Sequence, residues 1–318
     1  MFHYDRGLKL TRADLAVDFC RRQPRGFISH AHHDHMARHE LALCTPQTAR
    51  LYHLRLGKRP VLELPYRQPL DWGGMRLTTY PAGHCLGSAM LLAEQEGKRL
   101  LYTGDFKLDE SATAERAELP RADILVIEST FGRPEHRHMP RAEAISQLIG
   151  LVREVISAGR TAVVHAYALG KAQEVTRLLT CAGVRVLQHA EVFEVSQVYQ
   201  QCGVDLGEFE LHRGQCAEGC ALVVPPRRHA AGDLARIRSS VTFAVTGWAG
   251  DGAARHRLGV DHGIPLSDHA DFDDLLSAVA QVDPSVVYCT HGPASFVEHV
   301  RAAGYTAFPL DGKALLFK

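Results

Sequence analysis

Several features that would place a chain in a membrane or a disulfide-stapled scaffold are missing. No run approaches the roughly 20 consecutive apolar residues that a bilayer crossing needs. The opening Met1-Phe2-His3-Tyr4-Asp5 has no basic stretch leading into an apolar one, so no secretory signal is expected there. The cysteines are scattered at 20, 44, 85, 181, 202, 216, 220 and 289, and none makes a CxxC pair. They are expected to be reduced, mostly buried thiols of a cytoplasmic protein. Cys216 and Cys220 lack a second pair nearby, which favours a structural role over metal binding. No charge is in excess either: 36 Lys and Arg face 36 Asp and Glu. The balance gives no global argument for a polyanionic partner, and any nucleic-acid contact must be local. There is no low-complexity tract and no internal repeat.

What is present is a 318-residue chain, 46% hydrophobic, enough for one large or two moderate cores. The N-terminal third reads as short strands: Gly26–His30, Met75–Ala82, a hairpin over 88–106 turning at Glu96-Gly97, and the apolar run Asp123–Glu128. The rhythm then changes. Apolar residues at 145, 148, 149, 152, 155 and 156 predict a helix, and strand and helix alternate from Arg160 to Val245, as in a parallel α/β unit. After 257 comes a helix with Phe272, Leu275, Leu276 and Val279 on one face, a strand over Ser285–Cys289, and a helix starting at Pro293. The changes of rhythm put domain edges near 133 and 257.

Histidine is abundant, at 19 residues, and its placement matters more than its number. His30-Ala31-His32-His33-Asp34-His35 is an HxHxDH run after a strand and, by prediction, before a helix. His30 and His32 can chelate one ion while Asp34 and His35 face a second. More donors stand at predicted strand ends: His84 in Ala82-Gly83-His84, Asp105 in Thr103-Gly104-Asp105-Phe106, and His291 in Thr290-His291-Gly292. Imidazole and carboxylate donors suit Zn²⁺, and a carboxylate such as Asp105 can bridge two ions.

HxHxDH, then GH, GDF and TH in that order resemble the metal-binding motifs of the metallo-β-lactamase fold. The resemblance implies an α/β protein, an αββα sandwich, with His30, His32 and His84 on a first zinc. It places Asp34, His35 and His291 on a second, Asp105 between the two, and Asp18 orienting the ligand loop. Ile127-Glu128-Ser129-Thr130-Phe131-Gly132 and Ser267-Asp268-His269-Ala270-Asp271 resemble two further motifs of the β-CASP nucleases. The intervening length suits their inserted α/β domain. On this reading residues 1–133 and 257–318 form the metallo-β-lactamase domain and 134–256 the β-CASP domain. The chain is most similar to the bacterial DNA-ligase-associated exonucleases and next to RNA 3′-end processing nucleases and ribonuclease J. His291 matches the RNA-acting members, where Artemis-type DNA nucleases carry valine.

The resemblance implies a nuclease with two Zn²⁺, or Mn²⁺ in their place, an exonuclease acting on DNA in repair and associating with a DNA ligase or helicase, with no membrane partner. Asp34, Glu128 and His269 are the implied catalytic groups: His269 protonates the leaving oxygen and Glu128 orients it. Lys171, at a helix start, and Ser267 are candidate phosphate contacts. Arg227-Arg228-His229 and the run Arg133–Arg141 offer local positive charge, or are solvated loops. Tyr167 and Trp248 suit base stacking or, more commonly, core packing. The alternatives are an RNA-processing enzyme of the same fold, a thioester or lactam hydrolase, and a non-catalytic scaffold.

Overall fold

The computed structural model describes residues 1–214, 219–226, 239–250 and 254–311; Cys216 and Arg227-Arg228-His229 lie outside the described residues. The chain forms two compact units, Met1–Glu110 with Ala114–Arg137 and His269–Lys318, and Ser111–Thr113 with His138–Asp268. The second change of unit comes later than the sequence rhythm implies, because residues just past 257 still add an edge strand to the second unit.

In the first unit one sheet runs β1 (Phe2–Tyr4), β2 (Leu8–Leu10), β3 (Leu15–Val17), β4 (Arg25–Phe27), β5 (Leu41–Cys44), β6 (Val61–Glu63) in chain order. The other contains β7 (Leu70–Trp72), β8 (Met75–Pro81), β9 (Ala89–Gln95), β10 (Lys98–Tyr102) and β11 (Ile124–Glu128). Side chains alternate across this second sheet, as the two-residue period of a strand requires. Leu91, Leu100 and Val126 face inward and pack with Leu10, Leu15, Phe27 and Leu43 of the first sheet. Met90, Leu92, Leu101 and Leu125 face the other way, onto the C-terminal helices described below. Helix α1 (Pro46–Leu56) follows β5, started by Thr45, whose Oγ accepts from the Thr48 N–H.

The second unit is a fully parallel sheet, ordered β14-β13-β15-β12-β16-β17: β12 (Thr161–His165), β13 (Val186–Gln188), β14 (Phe209–Leu211), β15 (Ala221–Val224), β16 (Ser240–Val245) and β17 (His262–Ile264). β12 and β15 are buried along their whole length because both faces are covered. Ala162 and Val164 pack against α2 (Arg141–Ser157) and α3 (Lys171–Cys181), while Val163 joins Leu187 and Leu222 on the opposite face. α2 buries Ala144, Leu148, Val152 and Val155, a spacing that keeps one stripe on the sheet. α4 (Ala190–Gln201) and the short α5 (Ala254–Leu258) complete the described α-helices of this unit.

The chain returns to the first unit with α6 (Phe272–Val282), β18 (Val286–Thr290), α7 (Ser295–Ala302) and β19 (Ala307–Pro309). Asp271 caps α6 by accepting from the Asp274 N–H. Phe272, Leu275 and Val279 of α6 and Phe296 and Val300 of α7 cover the outer face of the second sheet. β18 pairs in parallel with β11. The result is the expected α/β class, two sheets face to face with helices outside, plus a separate parallel α/β unit. Among the described residues no helix is long and apolar enough to cross a membrane.

Candidate metal centre

The site is built from strand ends of the first unit. Asp18 follows β3 in the left-handed region, φ 50°, which a non-glycine residue adopts at a cost. Four hydrogen bonds hold it there. Its carboxylate accepts from the Ser29 N–H at 2.7 Å, the Ser29 hydroxyl at 2.5 Å, the Tyr102 hydroxyl at 2.8 Å and His35 Nδ1 at 2.8 Å. The Ser29 oxygen, having given its proton to Asp18, lies 2.9 Å from His30 Nδ1 and accepts there. Both rings are thus held by a proton on Nδ1 and face Nε2 inward, the nitrogen a metal ligand offers.

The inward nitrogens converge. His32 Nδ1 lies 3.0 Å from His30 Nε2 and 3.1 Å from His84 Nε2. Asp105 Oδ2 lies 3.6 Å from His30 Nε2 and 3.9 Å from His84 Nε2. Donors about 2.0–2.1 Å from a tetrahedral zinc are ~3.3 Å apart, so these spacings suit one ion. The same Asp105 oxygen is 3.3 Å from His35 Nε2, which in turn is 3.8 Å from Asp34 Oδ2. His35, Asp105 and His291 form a second group whose donor atoms lie within 4.8 Å of one another. One carboxylate oxygen therefore belongs to both donor sets.

The electrostatics favour a cation. Burial disfavours charge on His30, and the neighbouring His35, His32 and His84 deepen the effect, holding its pKa well below that of an ordinary histidine. Burial also opposes a charged His35, but the Asp105 and Asp18 carboxylates outweigh it and hold that ring well above the usual range. Burial would raise Asp105, yet His35 and His269 pull it well below the normal carboxylate range. An ionised carboxylate between a neutral His30 and a His35 whose proton a metal would displace is a donor set that gains from a cation.

Close backbone approach brings the strand ends together. Gly104 has φ 56°, and a Cβ there would sit 2.8 Å from the Ser29 side chain. A Cβ on Gly292 would sit 1.9 Å from the Ser129 carbonyl oxygen, while His291 itself takes φ 54°. Beside the donors, buried Glu128 places Oε1 3.0 Å from His269 Nδ1, and its other oxygen accepts from the Thr130 N–H at 2.9 Å. A carboxylate can only accept, so His269 donates to it from Nδ1. The His269 and His84 rings are 4.6 Å apart, and Asp105, Glu128 and His269 share a cluster with donor atoms within 4.8 Å.

The structure departs from the sequence reading at three points. HxHxDH does not lead into a helix: residues 36–40 are irregular and run into β5. Carbonyls that a helix would use are taken, Asp34 O by Cys20 Sγ and Ala37 O by the Tyr52 hydroxyl. Lys171 is not offered to a phosphate: its ammonium is 1% exposed and donates to Glu174 Oε2 at 2.9 Å. Glu174 Oε1 accepts from Arg141 at 2.5 Å and from the Ser111 hydroxyl at 2.9 Å. Ser267 is also buried in the second unit. Lys171→Ala is thus expected to lower the unfolding free energy by about 3 kcal/mol, as for a broken buried ion pair, and with it the urea midpoint. The salt dependence of nucleic-acid binding should not change; urea melts and salt titrations check the two halves.

Sequence reasoning missed a cavity of about 700 Å³ in the first unit, where Arg6, Arg21, Tyr4 and Phe19 join Asp34 and His291. It also missed Tyr102 and Ser29 as the supports of Asp18. The tyrosine one residue before Thr103-Gly104-Asp105 was the available signal; nothing marked the arginines, which are ordinary loop residues until folding gathers them.

No family model matches the chain. It is 36% identical over 314 residues to a protein of Opitutus terrae named "Probable DNA ligase", covering 96% of this chain and 31% of the relative. It is 34% identical over 141 residues to "Cleavage and polyadenylation specificity factor subunit 3" of Dictyostelium discoideum, covering 43% of this chain and 18% of that protein. An "Endoribonuclease YSH1" of Yarrowia lipolytica is 36% identical over 118 residues, 36% of this chain and 14% of the relative. The chain thus spans a third or less of each of these relatives. A solved structure from Enterococcus faecalis V583, a protein of unknown function, shares the fold with a TM-score of 0.65 at 14% identity, over 90% of this chain and 79% of that one.

Proposed function

The chain belongs to the β-CASP group of metallo-β-lactamase-fold proteins, and from that premise we propose that it is a metal-dependent hydrolase of phosphodiester bonds in nucleic acid. One observation carries the reading: Asp105 Oδ2 lies in both donor sets, and the Glu128–His269 pair stands directly beside it. The donor set of imidazoles and carboxylates fits two zinc ions, with manganese as a substitute. His30, His32 and His84 would hold one, Asp34, His35 and His291 the other, with Asp105 shared. When bound, the ions supply Lewis acidity and acidify a water.

The chain's own residues do the rest. Asp18 and Ser29 fix the tautomers of His35 and His30. Glu128 holds the Nδ1 proton of His269, so that Nε2 can hand a proton to the leaving oxygen. In the cavity beside Asp34 and His291, Arg6 and Arg21 would pair with backbone phosphate in the place first assigned to Lys171.

The match along nearly the whole chain to the relative named for DNA ligation favours DNA, with trimming of strand ends for repair and a ligase as partner. The endoribonuclease names favour RNA as the second reading, over a shorter stretch. End-labelled single- and double-stranded DNA and RNA, incubated with zinc- or manganese-loaded protein, test both. Stepwise shortening of DNA is expected. Cleavage of RNA alone would favour the second reading, and turnover of a thioester with no cut strand would overturn the proposal.

A further inference from the structure

Among the described residues, Leu54, Tyr167 and Trp248 are the large hydrophobic side chains that remain exposed, and two of the three share one edge of the second unit. Tyr167 is two residues past the end of β12, and Trp248 three past the end of β16. These strands are neighbours in parallel, with His165 opposite Ala244, so they end at the same level about 4.8 Å apart. Ligands of open parallel sheets bind at this carboxyl edge.

The rings are 53% and 43% exposed, yet they are mounted on fixed backbone. Ala166 and Ala168, on either side of Tyr167, are buried; the Ala166 N–H donates to Val224 O at 2.9 Å, and Tyr167 O accepts from the Ala172 N–H at 3.0 Å. Trp248 lies in the short turn Gly247–Ala249, where Ala249 is buried and donates to Thr246 O at 3.1 Å, and Arg257 donates to Trp248 O at 3.0 Å. Small buried residues on a rigid base, with an aromatic held out from it, preorganise a flat apolar surface.

We propose that Tyr167 and Trp248 form a stacking platform for the unpaired bases of a single-stranded nucleic acid, a proposal that rests on the nuclease reading above. A chain with no net charge has no global pull on a polyanion, and ring stacking adds affinity on any base.

The test is equilibrium binding to the full chain in chelator, where no strand is cut. Short oligothymidylate and oligouridylate are compared with an abasic strand of equal length, following tryptophan emission; the only other tryptophan is Trp72. Both base-bearing strands should quench emission and bind more tightly than the abasic one. Trp248→Phe should remove most of the quench and keep affinity. The Tyr167→Ala/Trp248→Ala pair should weaken base-bearing strands by roughly 10-fold or more per ring and leave the abasic strand unchanged. Both positions are exposed, so a thermal melt matching wild type is expected for the variant.

Equal binding of base-bearing and abasic strands to wild type, or an unchanged double variant, would overturn the platform. So would a double variant that only loses self-association. If strands are cut while the double variant binds normally, the platform fails and the nuclease reading stands. If bases bind as expected and no strand is ever cut, the nuclease reading fails and the platform stands.

Discussion

Asp105→Ala should release metal and abolish turnover together. The substitution removes the one oxygen that lies 3.6 Å from His30, 3.9 Å from His84 and 3.3 Å from His35. His30, His32 and His84 would remain as a three-nitrogen set, while His35, His291 and Asp34 would lose their link to it. Three buried or half-buried rings would also face one another without the negative charge that offsets a bound dication. The bound ion count is expected to drop by at least one per chain, and hydrolysis by roughly 10³-fold or more, the scale of losing electrostatic stabilisation at the reacting centre. Elemental analysis of dialysed protein and a single-turnover assay measure both. Metal content equal to wild type would remove Asp105 from the ligand set. Asp105 follows Gly104, which supplies the turn's left-handed φ of 56° without steric cost, so a circular dichroism spectrum like that of wild type is expected.

His269→Ala should separate metal from chemistry. His269 is held by Glu128 and stands beside His84 rather than within the three-nitrogen set. Both ions should stay bound while the rate falls by roughly 10²–10⁴-fold, the range for losing a positioned general acid. Glu128→Gln should cost nearly as much. The amide can donate to His269 Nδ1 and so favour the wrong tautomer, and it leaves the Thr130 N–H with a weaker acceptor. Because the two residues act as a unit, the double variant should be little slower than His269→Ala alone. The basic limb of the pH–rate profile should disappear in His269→Ala. Loss of an ion from His269→Ala would make it a ligand instead, and additive losses in the double variant would separate Glu128 from it.

Much of this site was legible because it is written in local motifs. HxHxDH puts four donors in six residues, and His84, Asp105 and His291 each close a strand whose apolar run the sequence displays. Glu128 ends the run DILVIE, and the structure brings it to His269 across 141 positions; only the motif resemblance linked them beforehand. The long strands and helices were legible through their periods. Strands of three residues, such as β1, β2, β14 and β19, hold too few positions to show one.

Other features depend on tertiary structure. Whether Met36–Glu40 forms a helix is decided by where Asp34 O and Ala37 O find donors, Cys20 and Tyr52, which local propensity does not contain. The Gly170-Lys171 helix start read as a phosphate contact; its partner Glu174 was visible three residues on, but the burial that makes the pair internal was not. Tyr167 and Trp248 read as core residues because most aromatic rings are, and only the alanines beside them, taking the buried positions, turn the rings outward.

The most direct measurement is anomalous scattering at the zinc edge from crystals of the zinc-loaded protein. Two peaks about 3.5–4 Å apart are expected, one on either side of Asp105 Oδ2, the first among His30, His32 and His84 and the second among Asp34, His35 and His291. A single peak away from Asp105, or none among these side chains, would contradict a shared two-metal centre.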